Sequence, residues 1–128
     1  MPAVLVVDDE ALIRWSVAET LEAEGYKVLE AGSAREALQR FADGGDGIDL
    51  AVLDLRLPDC ADLGLLRRIR EIAPDCRIIL MTAYGTTDLL DEARRAGAIG
   101  VLGKPFDMAR VVGLVHSALP LQPPLQPL

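Results

Sequence analysis

The chain predicts an α/β domain: a doubly wound, five-stranded parallel sheet in the order 2-1-3-4-5, with helices on both faces. Three observations carry this expectation. Five short apolar runs alternate with five amphipathic segments along the chain. The runs are mostly Val, Ile and Leu without strict alternation, the pattern of strands covered on both sides. Parallel neighbours need a crossover, and right-handed helical crossovers dominate, so strand–helix repeated five times leads to one sheet between helices.

Each element has its own signal. Ala3–Asp8 reads as the first strand. Ala11–Glu24 follows as a helix, with Ile13, Val17 and Leu21 on one stripe and Gly25 as its C-terminal stop. Tyr26–Ala31 is the second strand. Ser33-Ala34-Arg35-Glu36 has the capping-box pattern and opens a helix that turns Ala37, Leu38 and Phe41 inward and ends before Gly44-Gly45. Leu50–Asp54 is the third strand. The next helix is expected from Asp62 to Ile72, ahead of Pro74; Gly64 inside it should cost up to ~1 kcal/mol relative to alanine. Arg77–Thr82, Thr87–Ala96, Ile99–Gly103 and Asp107–Leu119 supply the last two strands and helices in turn. Residues 120–128 hold four of the eight prolines and repeat Leu-Gln-Pro, so they read as an extended Pro-rich tail or the start of a linker.

Bulk properties narrow the function classes. A chain of 128 residues is one domain, here residues 1–119, and 51% hydrophobic content argues against disorder. No apolar stretch approaches the roughly 18–20 residues that span a bilayer, and the N-terminus lacks a secretory pattern, so the expected location is the cytoplasm, away from membranes. A net charge of −7 makes direct nucleic-acid binding by this domain unfavourable. Cys60 and Cys76 have no metal-type spacing and read as reduced structural thiols.

The strand ends carry the chemistry. Val4-Leu5-Val6-Val7 ends in Asp8-Asp9-Glu10, and Leu50-Ala51-Val52-Leu53 ends in Asp54. Unpaired charge at the rim of a core costs several kcal/mol, so these acids call for a cation. In the order 2-1-3-4-5 the strand order reverses between strands one and three, where open α/β sheets bind ligands beyond the carboxyl ends. Asp8, Asp9 and Asp54 offer hard oxygen donors of the kind Mg²⁺ takes. The other strand ends add the Thr82 hydroxyl and the Lys104 ammonium. Three carboxylates, a hydroxyl and an ammonium suit phosphoryl transfer to a nucleophilic carboxylate.

Four stretches then resemble one family: Val6-Val7-Asp8-Asp9-Glu10, Leu53-Asp54-Leu55-Arg56-Leu57-Pro58, Met81-Thr82-Ala83-Tyr84-Gly85 and Gly103-Lys104-Pro105-Phe106-Asp107. They look like the receiver domain of two-component response regulators, which has a flavodoxin-like fold, over residues 3 to about 119. Leu-Arg-Leu-Pro after Asp54, Ala-Tyr-Gly after Thr82 and Ile13-Arg14-Trp15 resemble the receivers fused to sigma-54 activators. The resemblance implies that Asp54 accepts a phosphoryl group from a histidine kinase. It implies Mg²⁺ held by Asp8, Asp9, Asp54 and the Arg56 carbonyl, and a cis Lys104–Pro105 bond. Thr82 and Lys104 would meet the phosphoryl oxygens. Thr82, Tyr84 and the residue at 101 would form the switch that remodels the helix 4–strand 5–helix 5 face, a possible homodimer surface. The domain would be a regulated signalling module that catalyses its own phosphorylation and slow dephosphorylation, rather than an enzyme acting on others.

Two departures stand out. Val101 occupies a place where receivers usually carry Tyr or Phe, and Cys60-Ala61-Asp62 replaces an Asp-Gly pair before helix three. These keep open an alternative, a degenerate receiver that docks without phosphorylation. His116, the sole histidine, and Trp15 read as structural. A haloacid-dehalogenase-type phosphatase would need an acid where Arg56 stands, and an FMN binder would need a phosphate loop where Asp8-Asp9-Glu10 repels anions.

Overall fold

The computed structural model describes residues 2–44, 47–83, 85–105 and 107–121. Five parallel strands, β1 (Ala3–Val7), β2 (Lys27–Ala31), β3 (Leu50–Asp54), β4 (Arg77–Thr82) and β5 (Gly100–Gly103), form one sheet in the order β2-β1-β3-β4-β5. The connecting helices are α1 (Ala11–Ala23), α2 (Ala34–Gly44), α3 (Gly64–Ile72), α4 (Thr87–Arg95) and α5 (Met108–Ala118). The strand order is the expected one, and the elements match the sequence reading to within two residues at each described end.

The lack of alternation in the strands has the expected cause. Val4, Val6, Leu50, Val52, Ile79 and Met81 pack with Val17, Leu21, Val111 and Val115 in one core, under α1 and α5. Leu5, Val7, Ala51, Leu53, Ile78 and Leu80 face the other way, onto Ala37, Phe41, Leu66, Ile69 and Ala93 of α2, α3 and α4. Neighbouring residues of the central strands β1, β3 and β4 therefore enter opposite cores, and both must be apolar.

Helix ends follow backbone chemistry. Gly25 has φ +106 and closes α1: its N–H reaches the Glu22 carbonyl at 3.0 Å, and the Tyr26 N–H reaches the Leu21 carbonyl at 3.2 Å. Gly97, with φ +112, ends α4 the same way. Such left-handed caps satisfy carbonyls that the helix leaves over. Ser33 Oγ accepts from the Glu36 N–H at 3.1 Å, but the return bond of the box goes from the Gly32 N–H to Glu36 at 3.3 Å rather than to Ser33.

α3 begins two residues later than the sequence suggested. The Asp62 carboxylate turns forward and accepts the Gly64 N–H at 2.8 Å, which holds Asp62 outside the helix. Gly64 is thus the first helical residue, and the cost foreseen for a helix-interior glycine does not apply. A Cβ there would lie 2.8 Å from Asp62 Oδ1. The loop before it closes through Leu57 and Cys60, which exchange backbone hydrogen bonds at 3.0 and 3.3 Å. No described non-glycine residue has positive φ, so the Cys60–Asp62 segment turns without a left-handed residue.

Candidate functional site

β1 and β3 are adjacent, with Val7 in register with Leu53, so Asp8 and Asp54 arrive side by side at the carboxyl edge of the sheet. Asp8 is fully buried and Asp54 is 7% exposed. Two backbone N–H groups hold their inner oxygens: Glu10 N to Asp8 Oδ1 at 2.9 Å and Arg56 N to Asp54 Oδ1 at 3.2 Å. The other two oxygens share one cation. Lys104 Nζ stands 2.9 Å from Asp8 Oδ2 and 3.2 Å from Asp54 Oδ2. Lys104 comes directly after β5, its N–H donates to the Thr82 carbonyl at 2.8 Å, and its bond to Pro105 is cis. Asp9, in the solvent-facing rim, completes an acidic group whose ligand oxygens all lie within 4.8 Å of one another.

Charge in this group is out of balance. Three carboxylates face one ammonium. Burial raises the Asp54 pKa most; the Arg56 N–H opposes that, the Asp8 charge adds to it and Lys104 opposes it, with a net upward shift. For Lys104, burial disfavours the charged amine, but Asp8 and Asp54 outweigh it and its pKa rises. A divalent cation among these oxygens would supply the missing positive charge, and hard carboxylate donors in this number fit Mg²⁺.

Of the residues singled out in the sequence, Asp8, Asp9, Asp54 and Lys104 come together. Thr82 ends β4, buried, one residue beyond Met81, the register partner of Asp54. Val101 lies on β5 opposite Leu80, half-buried against the core under α4. Tyr84, Phe106 and residues 122–128 of the tail lie outside the described residues.

Sequence reasoning missed three contributors. Arg14 of α1 donates from Nη1 to the Asp8 carbonyl at 2.8 Å and from Nε to Glu30 at 3.1 Å, pinning the end of β1 against β2. Glu10 adds a fourth carboxylate, 3.8 Å from Lys104. Asp59, in the loop after β3, accepts the N–H groups of Ala34 and Arg35 at 2.8 and 2.9 Å and so fastens that loop to the start of α2. An Asp four residues before an amphipathic run signals a local cap; a cap for a helix some 25 residues upstream leaves no such mark.

The response regulator receiver domain model matches residues 4–116. The chain is 34% identical to sporulation initiation phosphotransferase F of Bacillus subtilis, over 93% of this chain and 94% of that protein. It is 39% identical to the DNA-binding transcriptional regulator NtrC of Azospirillum brasilense, over 91% of this chain but only 24% of that protein. Among solved structures, a response regulator receiver domain protein from Clostridium thermocellum superposes with a TM-score of 0.85 at 30% identity, covering 93% of this chain and 94% of that one. The CheX–CheY–BeF3–Mg complex from Borrelia burgdorferi contributes a chain with a TM-score of 0.85 at 27% identity, covering 91% and 87%. The four matched stretches, the sheet order and the paired acids under Lys104 agree with these comparisons: the chain belongs to the response regulator receiver domain family of two-component systems.

Proposed function

We propose that this receiver works as a phosphorylation-operated switch with Asp54 as its phosphoacceptor. The observation that carries the reading is the sharing of Lys104 between Asp8 and Asp54, beside Asp9, at the carboxyl edge of the sheet. An Asp54 oxygen attacks the phosphorus of a phosphohistidine on a partner kinase; the P–N bond breaks, imidazole leaves, and an acyl phosphate forms on Asp54. Asp8, Asp9, Asp54 and the Arg56 carbonyl would hold a Mg²⁺ ion, which would supply positive charge to the transferring group. Lys104 then exchanges its Asp54 oxygen for a phosphoryl oxygen, and the Thr82 hydroxyl donates to another. Attack by water on the same phosphorus gives slow self-dephosphorylation.

The new contacts at Thr82 and Lys104 pull the loop after Thr82 and shift the α4–β5–α5 face, which serves a homodimer or an effector. Moving such an equilibrium from 1:99 to 99:1 takes about 5.5 kcal/mol. Val101 is too small for a large side-chain swing, so the shift runs through backbone and α4. Residues 1–119 form the receiver, and 120–128 are a Pro-rich tail or the start of a linker. The matched region of NtrC is about a quarter of that protein, and control of transcription through attached domains is part of this proposal. The domain acts in the cytoplasm without binding nucleic acid itself; no described helix is long and apolar enough to cross a membrane.

Labelling with acetyl phosphate or a cognate kinase tests the assignment. Asp54→Asn is expected to lose labelling entirely and keep its circular dichroism; full labelling of that variant would defeat it. Val101 favours a second reading, a docking module that is never phosphorylated. Trp15, 55% exposed on α1, offers a reporter: a Mg²⁺-dependent fluorescence response to beryllofluoride supports the switch, and silence supports the docking module.

A further inference from the structure

A second polar cluster lies at the opposite end of the sheet, where α5 finishes over the turn between α1 and β2. Tyr26 is 1% exposed, and its hydroxyl donates to the Leu119 carbonyl at 2.7 Å. The same oxygen lies 3.1 Å from His116 Nδ1, and His116 Nε2 lies 3.1 Å from Glu24 Oε1. Just beyond, Leu121 packs into the core under α1 and α5, its Cδ1 3.3 Å from where a Cβ on Gly25 would stand. The cluster thus holds both the last turn of α5 and the residues that follow.

Counting protons decides what this arrangement requires. A phenol has one hydrogen, and Tyr26 gives it to Leu119, so toward His116 its oxygen can only accept. Nδ1 must then be a donor. A carboxylate only accepts, so Nε2 must also be a donor. Both ring nitrogens carry hydrogen only in the imidazolium. With a single ring proton, either Nε2 turns a lone pair toward Glu24, or Nδ1 takes the Tyr26 proton and the Leu119 carbonyl loses its bond. The groups facing the ring are Glu24, from the cap of α1, and Tyr26, from the turn into β2. Within α5 the other charged residue is Arg110, six positions earlier. The His116 and Glu24 side chains are 37% and 42% exposed, so protons exchange freely with solvent.

We infer that Tyr26, His116 and Glu24 form a protonation-dependent clasp that fixes the end of α5 and the direction in which the chain continues past Leu119. Closed, it seats residues 119–121 on the α1–β2 turn; open, it frees them. It makes the seating of residues 119–121 depend on the hydrogens carried by the His116 ring, independently of Asp54.

The test follows ring ¹⁵N shifts of His116 and hydrogen exchange of the Leu119 N–H, which bonds to the Val115 carbonyl at 2.7 Å, between about pH 5.5 and pH 8. After correction for intrinsic base catalysis, Leu119 exchange should quicken about tenfold as the ring loses its second proton, the effect of losing one charged hydrogen bond. The two curves should share a midpoint. Glu24→Gln, whose amide can donate to a neutral ring, should flatten the response. Tyr26→Phe should leave exchange fast at both extremes. A ring that titrates while Leu119 exchange stays unmoved would overturn the clasp, as would an undiminished response in Glu24→Gln.

Discussion

The two ends of the sheet solve the same problem in opposite ways. Both bury polar side chains, and among the described residues no buried side-chain nitrogen or oxygen lacks a hydrogen-bond partner. At the amino end the partners are mostly backbone groups: the Tyr26 hydroxyl donates to the Leu119 carbonyl, and Asp49 accepts the Ala3 N–H at 2.9 Å. At the carboxyl end the buried hydrogen bonds are complete, but Asp8, Asp9, Glu10 and Asp54 still gather around one ammonium. A fully bonded site can therefore remain electrostatically open. The end with clustered negative charge is the one suited to a cation and a phosphoryl group, while the other end, bonded mostly to backbone, holds the fold in register.

The largest way to break that contrast is to remove the shared cation. Lys104→Met takes away the one ammonium that Asp8 and Asp54 contact among the described residues, leaving two buried carboxylates facing each other. Breaking a buried pair from one side costs about 3–5 kcal/mol. In EDTA, urea denaturation should show a loss of that order. A Mg²⁺ ion taken up by the proposed site would stabilise the folded state alone, so saturating Mg²⁺ should restore a large part of it. Equal stability of variant and parent in EDTA would mean that the acids do not depend on Lys104. At the other end, Tyr26→Phe should be insensitive to Mg²⁺.

How much of this was legible in the sequence depends on how far apart the partners lie. The strand order, Gly25 as the stop of α1 and the meeting of Asp8 with Asp54 follow from local runs and one topological rule. Lys104 was readable because a strand end delivers it. Arg14, Asp59 and the His116–Tyr26 pair were not. Their partners lie 6 and 16, 24 and 25, and 90 residues away, and no local pattern records a side chain reaching across elements. The start of α3 was misjudged for a local reason: Asp62 can be a helical residue or a cap, and only the direction of its carboxylate decides between them.

Asp59 sharpens the contrast within the acidic end itself. It is an acid answered by backbone N–H groups instead of by a cation. The N–H groups of Arg35 and then Ala34 hold its pKa below the ordinary value of 3.8. Asp59→Ala removes a helix cap and should cost about 1 kcal/mol. A carboxylate whose folded pKa is depressed stabilises the fold above its unfolded pKa, and that contribution disappears as pH falls through the folded value. The difference between parent and variant should accordingly be full near neutrality and shrink below about pH 4. A difference that persists unchanged into acid would assign the effect to packing. Mg²⁺ should leave it unaltered, which separates Asp59 from Lys104.

The smallest effect on the fold, and the cleanest chemical readout of the two ends, comes from the thiols. Cys60 sits half-buried in the loop after β3, and Cys76 is buried just before β4, at the amino end. Burial, reinforced by Asp49, pushes the Cys76 thiol up to about 12. At pH 8 only about one molecule in ten thousand then carries a thiolate there, and the thiolate is the reactive form. An aromatic disulfide reagent should modify one thiol per native chain at Cys60 and reach the second only on unfolding. Cys60→Ser should abolish the native reaction with little change in stability, since its sulfur makes only long contacts to Asp62, at 3.5 and 3.9 Å. Rapid modification of Cys76 in the Cys60→Ser protein would show that the amino end opens far more readily than a closed, backbone-bonded edge allows, and would remove the basis for treating the two ends differently.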